Sequence, residues 1–188
     1  MARTAWRVAA VGLVVAVGVG IGLEAVDPPS RLPQGREEFQ PGVDRPLALP
    51  ARGAPLRDDA PVLGVVVGAR ARAYSVAAMS AIARHVVNDI VGDMPVAVTY
   101  CDRTGCARAY AGAAGGGPLG VGMAGFDRGL VLTAGGRLFR QDTGEAVVGE
   151  GSFPFAGYPV EQTTWGAWKA AHPDTDVYIG DERPSWQQ

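Results

Sequence analysis

The chain is poor in the residues that most often do chemistry. Among 188 residues it has two cysteines, two histidines and a single lysine, Lys169. Both cysteines and one histidine fall in the stretch His85 to Cys106, HVVNDIVGDMPVAVTYCDRTGC, so metal or thiol chemistry has one place to gather. The net charge of −2 removes the broad basic surface that nucleic acid requires. Sixteen arginines are present but scattered, which reads as compositional bias rather than a phosphate site. H-E-x-x-H, P-loop and G-x-S-x-G patterns are all missing. Gly120, Gly122 and Gly125 spell G-x-G-x-x-G, yet the FDRGLVL that follows reads as turn and strand, not the helix a dinucleotide site needs. No internal repeat is visible.

What is present is the composition of a folded protein, 47% hydrophobic and 19% charged, at a length that suggests one domain with accessories. Residues 8–26 hold the longest apolar run, sixteen residues from Val8 to Leu23 followed by Glu24, Ala25 and Val26. That approaches the roughly 20 residues needed to span a bilayer. Arg3 and Arg7 precede the run while Glu24 and Asp27 follow it, so the positive-inside rule puts residues 1–7 in the cytoplasm and the rest outside. A cleaved signal peptide and a secreted product are the alternative. A clean A-x-A site is missing, although cleavage after Gly22 is chemically open. No cysteine follows the run, which excludes lipoprotein processing. Gly18 and Gly22 form a G-x-x-x-G pair, weak evidence for helix pairing in a segment this rich in small residues.

Residues 27–61 read as a proline-rich linker, with eight of the fourteen prolines. Such a segment is extended and semi-rigid, although its last part, ARGAPLRDDAP, can lie against a domain. Residues 62–180 read as the folded domain and residues 181–188 as a tail. VLGVVVG and ARAYSV predict a hairpin turning at Gly68-Ala69. Ser75 caps a predicted helix over VAAMSAIAR. HVVNDIV and MPVAVTY predict a second hairpin turning at Gly92-Asp93. GAAGGGP is a loop. VGMAGF, LVLTA and RLFRQ are short strands, with Gly135-Gly136 between the last two. Thr163 or Thr164 opens a helix, WGAWKAAH, which Pro173 ends and which Trp165 and Trp168 anchor to the sheet. DVYIG is a last strand. The fold class is therefore α+β and β-rich: short, mostly antiparallel strands with two short helices, preceded by one N-terminal transmembrane helix.

Cys101 and Cys106 stand four residues apart after a strand. Outside the cytoplasm such a pair is often a disulfide, and closing this loop stabilises by about 2 kcal/mol on the chain-entropy model. The functional readings are a redox-active thiol pair or a site for a transition metal such as zinc or copper. A metal would need His85 as third ligand and Met123, His172, Asp102 or water as fourth. The hairpin register decides this. A two-residue turn at Gly92-Asp93 faces His85 with Tyr100 and turns it away from Cys101, whereas a three-residue loop faces His85 with Cys101. The sequence leaves both registers open. On the structural reading, His85 is a hydrogen-bonded histidine at a helix–strand junction, and His172 offsets the dipole at a helix C-terminus. Asn88 and Asp89 belong to the polar face of the strand. Asp142, Glu145 and Glu161 can act as acids or bases, but nothing marks them above other surface carboxylates.

GARARAYSV, then HVVNDIVGDMPVAVTYC, then EQTTWGAWKAAHPDTDVY resemble the domain-of-unknown-function family number 3179 over roughly residues 60–180. The strongest part is H-x-V-N-D, a short gap, and P-V-x-V-T-Y-C. The resemblance implies a fold unit and no established activity. The family's usual cysteine spacing is C-x-x-C, and the wider loop here weakens an analogy with thioredoxin-type motifs. A W-S-Q-like segment before a T-G-E turn is common in the family; FRQDTGEA keeps Gln141, Gly144 and Glu145 and lacks the Trp. The positions the resemblance implies are His85, Asn88, Asp89, Cys101, Cys106 and Gln141.

The expected protein is thus a single-pass membrane protein with a β-rich domain outside the cytoplasm. Its partners are the membrane, through the N-terminal helix, and no nucleic acid; protein partners are not identified. Two functions compete: a metal- or thiol-dependent site on Cys101, Cys106 and His85, or a non-catalytic, disulfide-stapled binding or structural module of the envelope. A weaker third is a hydrolase or transferase using Asp89, Asn88 or Gln141.

Overall fold

Two-residue turns organise the core of the fold. In the computed structural model, which describes residues 39–180, Gly68-Ala69 joins β3 (Pro61–Val67) to β4 (Arg70–Ser75), with Val67 paired to Arg70. Gly92-Asp93 joins β5 (Val86–Val91) to β6 (Met94–Tyr100), with Val91 paired to Met94. Gly135-Gly136, both at positive φ, joins β9 (Leu130–Ala134) to β10 (Arg137–Arg140). Each is a hairpin connection whose twist matches the strands, and glycine supplies the conformation that a side chain would resist.

Three sheets result. The first runs β1 (Val43–Asp44), β5, β6, β7 (Ala107–Ala111), β11 (Ala156–Tyr158). The second runs β10, β9, β8 (Gly122–Phe126). The third runs β12 (Glu161–Thr164), β3, β4, β13 (Asp176–Tyr178), β2 (Ala48–Pro50). Pairing is mostly antiparallel; β1 with β5 and β4 with β13 are the parallel exceptions. The β-rich class with two α-helices among the described residues matches the sequence expectation.

Alternation along each strand builds the layers. Leu63, Val65, Val67 and Tyr74 of the third sheet share one apolar cluster with Val87, Val91, Val96 and Val98 of the first. The opposite face of the first sheet gives Val86, Ala97 and Tyr110 to a second cluster with Leu130, Leu132 and Phe139. The outer face of the third sheet packs Val62, Ala73 and Val177 against Trp165 and Trp168 of α2 (Trp165–Ala171). The first sheet is therefore central, covered on both faces.

Several local expectations are revised. The helix after Ser75 is only α1 (Val76–Met79), followed by a 3-10 turn at Ile82–Arg84. Ser75 does cap it, but the Ser80 hydroxyl donates back to the Val76 carbonyl at 2.8 Å, an alternative to further helix. Thr164, not Thr163, caps α2. The predicted linker 27–61 gives up more than half of its length to the domain: β1 adds to β5 and β2 to β13. These pieces are short edge strands, the setting in which Pro50 is tolerated. The expected segments 1–7, 8–26 and 181–188, and the first part of the linker, lie outside the described residues. Among the described residues no helix is long and apolar enough to cross a membrane.

Candidate functional site

The β5–β6 hairpin settles the register that the sequence left open. With a two-residue turn, Val86 pairs with Thr99, and His85 falls opposite Tyr100, whose N–H donates to the His85 carbonyl at 2.9 Å. Strand alternation then sends the neighbours Asn88 and Asp89 to opposite faces, one toward each covering layer.

Asp89 points at the third sheet. Its carboxylate accepts two hydrogen bonds from Nη1 of Arg72, at 2.9 and 2.8 Å, and one from the Tyr74 hydroxyl at 2.9 Å. The following N–H, of Ile90, donates to it at 2.7 Å. Nη2 of Arg72 donates to Asp176 at 3.2 Å. Burial opposes the Arg72 charge, yet the adjacent Asp89 carboxylate outweighs it and holds the guanidinium above its ordinary pKa. Burial first, and the Asp89 charge second, push Tyr74 well above the usual phenol value, so it remains a neutral donor.

Asn88 points at the second sheet. Its Nδ2 donates to the Val121 carbonyl at 2.9 Å and its Oδ1 accepts the Val121 N–H at 3.1 Å. The side-chain amide thus imitates a neighbouring strand and fixes the chain just before β8. Asn88→Asp keeps the acceptor but loses the donor and sets a carboxylate against a carbonyl. It is expected to lower unfolding free energy by about 1–3 kcal/mol in denaturant titrations.

Cys101 and Cys106 flank the β6–β7 turn. One step beyond the Tyr100–Ala107 pair, the Cys101 N–H donates to the Cys106 carbonyl at 2.9 Å. Both side chains meet the same apolar cluster, so the two thiols share a face. Both are free, Cys101 fully buried and Cys106 partly so. Burial pushes the Cys106 thiol up, with Arg108 opposing and Asp142 and Cys101 adding to the rise.

Gln141 ties the second sheet to this corner. Its Nε2 donates to Thr99 Oγ1 at 2.8 Å and to the Cys106 carbonyl at 3.2 Å, and its backbone carbonyl accepts the Tyr110 hydroxyl at 3.2 Å. His85 is buried; its Nδ1 lies 2.7 Å from the Met79 carbonyl, which only accepts, so Nδ1 carries the proton. Nε2 lies 3.4 Å from Asp102, and the ring meets Phe126 edge-on.

This arrangement gives the metal expectation no support. Among the described residues no three His, Cys, Asp or Glu side chains come together as a cation site. Asp89 lies on the face away from the cysteines and His172 packs on Trp168, their ring centroids 4.1 Å apart, whereas Met123 is buried in the same apolar cluster as Cys101. Of the expected fourth ligands, only Asp102 lies beside His85, its Oδ1 3.4 Å from Nε2. Asp89, Asn88 and Gln141, the candidates for a hydrolase or transferase, do not converge either. Sequence reasoning missed Arg72, Tyr74 and Asp176. The RARAYS alternation puts Arg72 and Tyr74 on one face, but alanines occupy the other, so the pattern alone does not say which face is inward.

These features define a layered β-rich domain in which buried polar side chains join one sheet to the next. The chain belongs to the family described as protein of unknown function (DUF3179), whose model matches residues 39–186. No curated protein and no solved structure matches it.

Proposed function

We propose that the chain is a membrane-tethered, non-catalytic binding or structural module of the cell envelope, held outside the cytoplasm and closed there by a Cys101–Cys106 bridge. The observation that carries this reading is the placement of the two thiols. They lie opposite each other one residue beyond the ends of β6 and β7, on one face. Cα atoms of such a pair are about 4.5–5.5 Å apart, inside the range a disulfide spans. Two further observations support it. Asn88, Asp89 and Gln141 of the family motif are engaged in joining layers, and among the described residues none of these three is placed as a base beside a nucleophile. Burial also raises the Cys106 thiol, the reverse of the lowered pKa that marks an exchanging cysteine, and this favours a staple. The location rests on the apolar run Val8–Leu23 and its flanking charges.

The test is thiol counting on the full chain, purified without reductant and unfolded in the presence of an alkylating agent. No modification is expected before reduction, and modification of both cysteines after it. Two alkylated cysteines without reductant would overturn the bridge. Reductant is expected to lower the unfolding free energy by about 2 kcal/mol, from reopening the small loop. A C-terminal fusion that reports a cytoplasmic location would remove the oxidising setting on which the bridge depends.

A further inference from the structure

The two cysteines face each other but do not have the same access to solvent. Cys101 is 0% exposed, sealed in the apolar cluster beneath the second sheet. Cys106 is only partly buried, and its thiol lies near the surface. The same division holds two residues along the ladder, where Thr99 of β6 is buried and its β7 partner Arg108 is exposed. The rim of the second layer therefore passes between the ends of β6 and β7, with Cys101 beneath it and Cys106 at its edge.

The turn holds both residues in these places. Asp102 to Gly105 are exposed, but the main chain on either side is pinned. The Cys101 carbonyl accepts the Gly105 N–H at 2.8 Å, and its N–H is spent on the Cys106 carbonyl. The Cys106 N–H donates to Thr104 Oγ1 at 3.3 Å, and its carbonyl accepts Gln141 Nε2 at 3.2 Å. Cys101 cannot swing outward without giving up these bonds and its apolar seat. Of the charges around the Cys106 thiol, Arg108 favours the thiolate and Asp142 opposes it, and burial outweighs both. Access thus selects which sulfur exchanges, and a small thiolate fraction makes the exchange slow.

We infer that Cys106 is the exchange site of the pair, with a small-molecule disulfide as its oxidant, and that Cys101 is the resolving thiol. Cys106 loses its proton to water, and its thiolate attacks one sulfur of the small disulfide. That S–S bond breaks, one small thiolate leaves, and a mixed disulfide forms on Cys106. The Cys101 thiolate, its proton also given to water, then attacks the Cys106 sulfur and releases the second small thiolate. The two cysteines are oxidised to one bridge, and one small disulfide is reduced to two thiols. The inference rests on the reading of the pair as a bridge and adds the order in which the sulfurs react.

The experiment uses the full chain in detergent, reduced and then freed of reductant, with oxidised glutathione as probe and intact mass as readout. Folded Cys101→Ala is expected to take up one glutathione at least about tenfold faster than folded Cys106→Ala, whose remaining sulfur is reached only through local opening. In denaturant the two variants are expected to react at similar rates, which assigns the difference to the fold. The wild-type chain is expected to end bridged and free of glutathione, because the facing thiol attacks faster than a second small molecule arrives. A brief exposure quenched with acid is expected to show the transient mixed disulfide on Cys106 by peptide mapping. No uptake by folded Cys101→Ala, equally fast uptake by folded Cys106→Ala, or a wild-type mixed disulfide mapped to Cys101 each overturns the assignment. A wild-type chain that keeps glutathione on Cys106 and never closes overturns the resolving step and the bridge with it, whereas the entry sulfur is read separately from the two variants.

Discussion

Asp89→Asn is expected to destabilise the domain by about 3–5 kcal/mol, the range for removing one partner of a buried ion pair. The substitution is nearly isosteric, so it opens no cavity; what changes is charge and donor count. Asp89 holds Arg72 through both oxygens and accepts from Tyr74 between the central and third sheets. The Asp89 side chain is 4% exposed and that of Arg72 18%, so water does little to replace the lost carboxylate. An asparagine amide would bring its own N–H groups against the guanidinium or the Tyr74 hydroxyl, and Arg72 would keep only Asp176, the more exposed of its two acidic partners. Denaturant titration checks this: the midpoint should fall with the slope unchanged. A loss of less than about 1 kcal/mol would mean that the pair behaves as an exposed salt bridge. Replacing both partners together, Arg72→Met with Asp89→Leu, should cost much less than Asp89→Asn, because no unpaired charge is left between the sheets.

How far the sequence reveals this arrangement depends on the range of the interaction that fixes each part. The turns at Gly68-Ala69, Gly92-Asp93 and Gly135-Gly136 are legible because two residues of turn chemistry are enough to set a hairpin. A threonine cap at 163 or 164 and the tryptophans of α2 are legible for the same reason, although the choice of Thr164 is not. β1, β2, β11 and β12 are not: each has two to four residues. Such pieces have no pattern of their own and are strands only because a longer neighbour pairs with them. β2 ends in Pro50, so composition there reads as linker. The candidate site divides in the same way. The cysteine pair is visible as spacing, and its facing geometry follows from one continuous ladder, β6 to β7. The partner of Asp89 is not visible, because Arg72 comes from another sheet and Asp176 from a strand that joins β4 in parallel. His85 shows the intermediate case. Its position was readable, but whether it met Cys101 turned on a single residue of register.

Gly64→Ala is expected to cost about 3 kcal/mol or more, although it adds only one methyl group. Gly64 lies in the middle of β3, paired with Ala73 on one side and Glu161 on the other. A Cβ built there would sit 2.1 Å from Cζ3 of Trp168, 2.4 Å from Cη2 and 2.5 Å from Cε3. Those are not contacts that a few tenths of an ångström relieve, so the indole or the strand must move. The indole is poorly placed to do so. Its Nε1 donates to Thr175 Oγ1 at 2.9 Å, and that hydroxyl donates onward to the Ala71 carbonyl at 3.1 Å. Its ring is buried and packs on His172. Movement of β3 instead would pull Leu63 and Val65 from the central core. Alanine's better intrinsic fit to a strand returns at most about 0.5–1 kcal/mol, too little to offset the overlap. Equilibrium unfolding measures the loss, and near-ultraviolet circular dichroism of the tryptophans reports whether the indole has left its seat. The double variant Gly64→Ala with Trp168→Leu separates the clash from any other effect of the methyl group. Once the indole is gone, the alanine should add little further loss, a coupling of at least about 1 kcal/mol between the two sites. If Gly64→Ala alone shifts stability by no more than a surface substitution, about 0.5 kcal/mol, then Trp168 does not rest on this strand, and the packing of α2 against the third sheet is not what holds that layer in place.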